Sequence, residues 1–117
     1  MDNKATIGKQ GEDKAVEYLK QKGYEIMELN YRYKRSEIDI IAQKENLLIF
    51  VEVKTKSYNT FGNPEDAVDQ KKSDKIMEGA DYYIEANDWH NNIRFDIIAI
   101  HKQGNTFDIV HFEDAFY

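Results

Sequence analysis

An apolar run broken by one acid, Leu47 to Val53, constrains the fold more than any other feature of this 117-residue sequence. It reads LLIFVEV and is rich in the β-branched and aromatic residues that favour strands. Because side chains alternate across a strand, a strand that is apolar at successive positions must be covered on both faces. The run therefore predicts a central strand with packing layers on both sides of its sheet.

Periodicity elsewhere predicts two helices and four further strands. Helical spacing runs from about Ile7 to Lys22, between the N-cap Thr6 and a stop at Gly23, and again from about Glu65 to Glu85. The element order is α-β-β-β-α-β-β, which indicates an α/β fold with one mixed central β-sheet flanked by α-helices. Residues 1–117 are few enough for a single domain.

The first predicted helix carries an acid on its inward face. Four residues recur on that face at helical spacing: Gly8, Glu12, Ala15 and Leu19. Gly8 and Gly11 each cost a helix about 1 kcal/mol relative to alanine, which is tolerable where the backbone must approach something closely. We therefore expect a close backbone approach along this helix, with Glu12 beside it.

Composition favours a soluble protein of the cytoplasm without a membrane partner. The chain has no cysteine, which excludes disulfides and thiolate metal sites. MDNKATIGKQ lacks the apolar core of a signal peptide, and no run approaches the roughly 18 apolar residues of a membrane span. The net charge of −6 argues against a polyanionic partner, but residues 1–75 hold 14 basic and 14 acidic residues. If several of those acids hold a metal ion, the surface around them is cationic.

Ionisable side chains interrupt the hairpin that contains the apolar run. Glu37 and Asp39 alternate with isoleucines on its first strand, and Glu52 and Lys54 continue the second strand. On this alternation Ile38, Ile40 and Ala42 face away from the acids. With an even loop, all four charged residues lie on one face of the hairpin.

The loop also predicts the register of the hairpin. A loop of two or four residues around Lys44-Glu45 sets Asp39 opposite Phe50 and Glu37 opposite Glu52, with Glu52 diagonal to Asp39. An odd loop would move Asp39 to the other face.

The three acids of the hairpin predict a metal site. Crowded carboxylates repel unless protons or a cation intervene, and hard oxygen ligands on strands suit Mg²⁺ or Mn²⁺. Beside such an ion, Lys54 could orient a water or stabilise charge on a phosphate, which is the chemistry of metal-assisted phosphodiester hydrolysis. The alternative is a surface ladder of ion pairs, Lys54 against Glu37 and Asp39. The second strand is apolar on both faces and is therefore expected to be buried on both. A charged pair is costly in such a position, which disfavours the ladder.

Six motifs occur in order over nearly the whole chain: GKQGEDKAVEYLKQKGY, SEIDIIA, FVEVKTK, GNPEDAV, RFDIIAI and VHFEDAF. EID followed by FVEVKTK resembles the core of the PD-(D/E)xK nuclease superfamily, which includes restriction endonucleases and archaeal Holliday junction resolvases. More narrowly, the chain is similar to the bacterial YraN-like family, itself similar to those resolvases. The resemblance implies a restriction-endonuclease-like fold and a Mg²⁺- or Mn²⁺-dependent endonuclease acting on DNA. Branched or junction DNA as the substrate rests on analogy.

Position by position, the resemblance implies a set of site residues. Asp39 and Glu52 match metal ligands, with the Val53 carbonyl between them, and Lys54 matches the catalytic lysine. Glu12 matches the helix glutamate that reaches the same site in the resolvases, as a further ligand and catalytic acid.

Further residues are expected to support the site or contact DNA. Glu37 matches the acid of the family's G-E-I-D sequence, although Ser36 stands at the glycine position. NYRYKR interleaves aromatics and cations, which either grip phosphates and stack a base or belong to a solvated edge strand. The expected DNA contacts are Arg32, Lys34, Arg35, Lys56 and Lys72.

Two rivals from other classes stay open. One is a DNA-binding module of the same fold without turnover, and the other is a structural, partner-binding protein whose charges form a ladder. The set Asp39, Glu52 and Lys54 favours an enzyme, because a pure binder gains little from a metal cluster. Cutting both strands of a duplex would favour a homodimer. Elsewhere, Arg94 and Asp96 are predicted to form an ion pair, and His111 a core or capping contact.

Overall fold

The computed structural model describes residues 3–56 and 69–116, which form two helices and five strands. Their order is the predicted one, although residues 65–68, at the predicted start of the second helix, lie outside the described ranges. Neither helix in these ranges is long and apolar enough to cross a membrane. The elements are α1 (Lys4–Gln21), β1 (Glu25–Tyr33), β2 (Ser36–Lys44), β3 (Leu47–Lys56), α2 (Gln70–Ala86), β4 (Asn92–Gln103) and β5 (Thr106–Phe112).

The five strands form one mixed sheet in the order β1-β2-β3-β4-β5. β3 and β4 are parallel, whereas the other neighbouring strands are antiparallel. Parallel neighbours need a crossover connection, and α2 lies in the chain between β3 and β4. The predicted α/β fold, a restriction-endonuclease-like mixed sheet flanked by helices, is confirmed.

β3 is covered on both faces, as its apolar run predicts. Ile49 and Val51 belong to a buried cluster with residues of α1, and Leu48 and Phe50 belong to a second cluster with residues of α2. Each of these four side chains is at most 1% exposed. The sheet is therefore the middle layer, with α1 on one face and α2 on the other.

Helix α1 begins earlier than predicted. Asn3, rather than Thr6, is the N-cap, and its side-chain oxygen accepts the Thr6 N–H at 2.9 Å. Asparagine caps a helix at least as well as threonine, so the first cap-forming residue sets the start. The predicted stop is confirmed, since Gly23 has a φ of 94° just beyond the helix.

The close approach expected along α1 occurs at Gly11. A Cβ added at Gly11 would overlap the Thr55 side chain of β3, whereas no described atom lies within 4 Å of a Cβ added at Gly8. Ala15 and Leu19 are fully buried, which confirms the inward face of the helix. Gly11 thus lets α1 lie directly on the end of β3.

The β2–β3 hairpin does not have the predicted register. Ile41, not Asp39, lies opposite Phe50, so the predicted pairing of Asp39 with Phe50 and of Glu37 with Glu52 is wrong. The pairing has moved by two residues, and a shift of two does not change the face on which a side chain lies.

The turn explains the shift. Lys44 pairs with Leu47, so the loop consists of Glu45 and Asn46, and Glu45 adopts a φ of 55°. Lys44 thereby stays in β2, where its ammonium donates to the Lys22 carbonyl at the end of α1 at 2.8 Å. This tertiary contact, which no local pattern reveals, favours a turn one residue later than predicted.

Strand β2 also departs from strict alternation near Asp39. Ile40 packs on the α1 side as predicted, but Ile38 packs with Ile41 on the α2 side, so the prediction that Ile38 shares a face with Ile40 is wrong. In the neighbouring part of β1, Asn30 has a left-handed φ of 50°. The two strands are locally irregular, and Asp39 lies at this irregularity.

Candidate active site

Asp39 lies where the β2–β3 ladder ends. Regular pairing of the two strands stops at Ile40 and Val51. Beyond that point, Asp39 Oδ2 accepts a hydrogen bond from the Val53 N–H at 2.7 Å, so a side chain satisfies a backbone donor that the ladder would otherwise pair. The same carboxyl lies close enough to Glu52 for its charge to raise the pKa of that acid. The break in the ladder thus brings together two of the acids predicted to share a metal.

Glu52 is buried on the α2 side of β3. The residue is 8% exposed, and its neighbours Val51 and Val53 pack on the α1 side. Its Oε1 contacts the ammonium of Lys72 in the first turn of α2. Asp69 caps that turn by accepting the Lys72 N–H at 2.8 Å. The N-terminus of α2 is therefore held against the acid pair.

The two acids resist ionising together. Burial raises the pKa of Glu52 to about 7, and the charge of Asp39 adds to the rise. Burial also raises the pKa of Asp39, although the Val53 N–H and the charge of Lys72 oppose that rise. Near neutral pH the pair therefore tends to keep a proton unless a further cation is present.

Lys54 lies next to this acid pair and close to two other lysines, Lys56 and Lys72. It is two residues beyond Glu52 and shares its side of β3 by alternation. Burial lowers the pKa of Lys54, and the charges of Lys56 and Lys72 lower it further. Lys56 ends β3 two residues beyond Lys54. The amine of Lys54 therefore gives up a proton more readily than that of an exposed lysine.

Glu12 approaches the same acids from α1. Burial raises the pKa of Glu12, and the charges of Asp39 and Glu37 raise it further. Across the described residues, however, no three acidic or histidine side chains converge closely enough to hold an ion. The predicted crowding of three carboxylates close enough to share an ion is therefore absent from the described residues.

The cations of the β1–β2 hairpin have acidic partners. Arg32 lies 3.1 Å from Glu37 on the adjacent strand, and Lys34 lies 3.9 Å from Glu78 of α2. The side chains of Arg32 and Lys34 are 78% and 69% exposed. A cross-strand ion pair does hold Glu37, but its cation is Arg32 rather than Lys54.

An aromatic pair lies beside these cations. The rings of Tyr33 and Tyr82 stack with centroids 4.3 Å apart, and Tyr82 is 48% exposed. The ammonium of Lys34 is 5.3 Å from the Tyr33 ring centre, and Arg35 next to it is exposed. The sequence indicated Tyr33 through its interleaved motif, but it gave no signal for Tyr82, which comes from α2.

Lys72 is the site contact that sequence reasoning assigned elsewhere. Its expected contact with DNA stays a prediction, and in the structure its ammonium contacts the buried carboxylate of Glu52. The sequence placed Lys72 inside the second predicted helix, from about Glu65 to Glu85, but it did not show which strand this part of the helix faces. The direction of its side chain therefore needed the tertiary structure.

A second polar cluster lies on β4 and β5. Asp96 is fully buried. Its carboxylate accepts hydrogen bonds from Arg94 at 2.8 Å and from the Asp114 N–H at 3.1 Å. The same carboxylate lies 2.7 Å from His111 Nε2. Burial opposes the ionisation of Asp96, but these hydrogen bonds outweigh it and lower its pKa. The predicted ion pair of Arg94 with Asp96 is present and buried, and His111 has a core role.

The donor set at the acid pair suits a hard divalent cation. Asp39, Glu52 and the Val53 carbonyl offer oxygen ligands, and Mg²⁺ keeps several waters, so few protein ligands suffice. Burial raises the pKa of both acids, so a bound cation would favour the ionised forms that act as ligands. The ammonium of Lys72 shows that the fold accommodates a cation against Glu52.

Three layers with a mixed sheet in the middle place the chain among restriction-endonuclease-like α/β domains. Within that class it belongs to the uncharacterised protein family UPF0102, whose model matches residues 11–100. This membership confirms the resemblance to the YraN-like family that the six motifs indicated.

Curated relatives cover nearly the whole chain. UPF0102 protein FP2501 of Flavobacterium psychrophilum is 51% identical over 95% of this chain and 93% of its own length. A UPF0102 protein of Christiangramia forsetii is 49% identical, with 95% and 93% covered. UPF0102 protein SYO3AOP1_0546 of a Sulfurihydrogenibium species is 44% identical, with 97% and 96% covered. These names state family membership and no activity.

Proposed function

We propose that this protein is a Mg²⁺- or Mn²⁺-dependent endonuclease that hydrolyses phosphodiester bonds in DNA. The observation that carries the proposal is the half-buried carboxyl of Asp39, bound to the Val53 N–H next to the buried Glu52, with Lys54 beside them on β3. A buried and a half-buried carboxyl on neighbouring strands repel unless a cation or a proton is shared between them, so their presence calls for a functional explanation. Metal-assisted hydrolysis supplies one.

Each site residue has a chemical part in this proposal. A divalent ion held by Asp39, Glu52 and the Val53 carbonyl would polarise the scissile phosphate and lower the pKa of a bound water. Lys54, beside the acids, would stabilise negative charge on the phosphate as it develops, or orient the attacking water. Glu12 would contribute from α1 through water rather than by direct contact.

The β1–β2 hairpin is the proposed DNA contact. Arg32, Lys34 and Arg35 lie at the end of the sheet that carries Asp39, and Lys56 ends β3 at the same side. The pairs that Arg32 and Lys34 make with glutamates are exposed, and exposed pairs contribute only about 0–1 kcal/mol. Phosphates would therefore displace those glutamates at little cost.

A DNA-binding module without turnover is the second candidate. The absence of a three-acid cluster from the described residues favours it, as does the lysine that already neutralises Glu52. Such a module would use the same cationic hairpin, so DNA binding alone does not separate the two candidates.

Cleavage of branched, flapped and linear DNA with Mg²⁺ or Mn²⁺ tests the proposal. Wild type should cut at least one substrate only when the metal is present, and Asp39→Asn or Glu52→Gln should abolish cutting. Glu85→Gln, an equal charge change at an exposed position of α2, should cut like wild type. If wild type binds DNA but cuts none of these substrates with either metal, the binding-module candidate replaces the enzyme. Sedimentation with and without DNA shows whether a homodimer acts.

A further inference from the structure

The ammonium of Lys72 contacts a carboxylate that is nearly closed off from water. The side chain of Glu52 is 10% exposed, whereas that of Lys72 is 46% exposed. Lys72 therefore reaches into the site from the solvent side, on a flexible stem that starts in the first turn of α2. The backbone beneath it is fixed, because Asp69 accepts its N–H at 2.8 Å.

The positive charge of Lys72 at Glu52 offsets the repulsion between the neighbouring carboxylates of Asp39 and Glu52. Asp39 is half-buried beside the buried Glu52, and an uncompensated charge at a buried position costs several kcal/mol on the usual scale for buried ions. Within the described parts of the chain, Lys72 is the cation that forms an ion pair with either acid. It holds positive charge against a carboxylate that the proposed function assigns to a divalent ion.

We propose that Lys72 is an internal counter-ion of the Asp39–Glu52 pair, which occupies the place of the divalent ion in the metal-free protein and leaves when that ion binds. This inference rests on the proposed function, because it takes the acid pair to be the metal site. An ammonium and a divalent ion repel each other at one carboxylate, so Lys72 and the ion exclude one another at Glu52.

Release of Lys72 from Glu52 frees an ammonium group beside the site, where it can bind a phosphate of the substrate. The freed ammonium stays at the N-terminus of α2, next to Lys54 and Lys56, and a half-exposed lysine loses little packing when it turns outward. There it is available to a phosphate of the bound nucleic acid. Metal binding and substrate binding are thereby coupled through one side chain, which acts as a positioning residue.

Calorimetric titration with Mn²⁺ tests the displacement. Lys72→Met should bind Mn²⁺ at least about tenfold more tightly than wild type, because no ammonium competes for Glu52. Lys72→Arg keeps the charge and should retain the wild-type affinity to within about twofold. Lys71→Met is the matched control, with the same charge change at an exposed position in the same helical turn, and it too should stay within about twofold. Thermal melts establish that all variants are folded.

The outcomes separate this inference from the proposed function. If wild type binds Mn²⁺ and cuts DNA but Lys72→Met binds Mn²⁺ no more tightly, the counter-ion role is overturned and the nuclease stands. If Lys72→Met binds more tightly and no variant cuts DNA, the counter-ion role is supported and the nuclease falls. If neither wild type nor Lys72→Met binds Mn²⁺, both fall, and the contact with Glu52 is a permanent structural ion pair.

Discussion

The carboxyl of Asp39 accepts the backbone N–H of Val53 at 2.7 Å, at a level where β2 and β3 have stopped pairing. This hydrogen bond turns Asp39 out of the ladder and places it beside Glu52, the residue before Val53. In a regular hairpin, a backbone carbonyl of β2 would have accepted the Val53 N–H instead. The irregularity therefore creates the acid pair, and the properties of the site follow from it.

Divalent metal should raise the melting temperature of wild type through this pair. An ion that binds the native state at a hundred times its Kd adds about 2.7 kcal/mol to the free energy of unfolding. Melts with and without millimolar Mn²⁺ measure the effect. The double variant Asp39→Asn, Glu52→Gln should show no shift, whereas Glu85→Gln should shift like wild type. An equal shift in the double variant would place the ion elsewhere.

Loss of Lys54 should slow chemistry and leave binding nearly unchanged. A lysine that stabilises phosphate charge in the transition state is worth roughly 3–4 kcal/mol, or about two to three decades in rate. Lys54→Met keeps most of the stem's volume, so its packing changes little. Single-turnover cleavage at saturating metal measures the effect, with Lys71→Met as the control. Cleavage by Lys54→Met at the wild-type rate would remove Lys54 from the catalytic set.

Neutralising the β1–β2 hairpin should weaken DNA binding and flatten its salt dependence. Each phosphate contact contributes about 0.9 to the slope of log K against log salt concentration. For each phosphate contact removed, the slope should become shallower by that amount in the triple variant Arg32→Gln, Lys34→Gln, Arg35→Gln. The control Lys20→Gln on α1 should keep the wild-type slope. Fluorescence anisotropy at several salt concentrations gives the slopes. An unchanged slope would return this hairpin to the solvated-edge interpretation.

Acid should destabilise the protein partly through Asp96. Its pKa is lowered in the folded state, so its contribution is present above the unfolded pKa of about 3.9 and is lost as the pH falls through the folded pKa. Asp96→Asn should lower the free energy of unfolding by roughly 3–5 kcal/mol near pH 7, because it leaves the partly buried charge of Arg94 without its partner. Below about pH 4 the variant should lose less stability than wild type does, because it has no carboxylate there to protonate. Denaturant melts at several pH values test this, with Asp108→Asn at the exposed edge as the control.

Two glycines of α1 should respond in opposite ways to the same substitution. Gly8→Ala should stabilise by up to about 1 kcal/mol, since alanine favours a helix and no described atom lies within 4 Å of the new Cβ. Gly11→Ala should destabilise by about 1–3 kcal/mol despite the same helical gain, because the Cβ would overlap Thr55. Chemical denaturation of both variants compares them directly. A stabilising Gly11→Ala would mean that α1 and β3 separate easily.

Local patterns predicted the elements of this protein well. The apolar run of β3 indicated burial on both faces, and the buried clusters on its two sides confirm it. The pairing register was wrong because a tertiary contact, Lys44 to the end of α1, favours a turn one residue later. The predicted face of Ile38 was wrong because alternation assumes a regular strand, and β2 is irregular at Asp39.

The sequence by itself determined the order of the elements, the two-sided burial of β3 and the choice of Asp39, Glu52 and Lys54 as candidates, because periodicity and residue chemistry are properties of neighbouring residues. Only the tertiary structure decided which charges meet. Lys72 contacts Glu52, and Arg32 rather than Lys54 pairs with Glu37. Those contacts depend on how α1 and α2 lie on the sheet and on where the β2–β3 ladder ends. Both are set by packing between residues far apart in the chain, which no local spacing encodes.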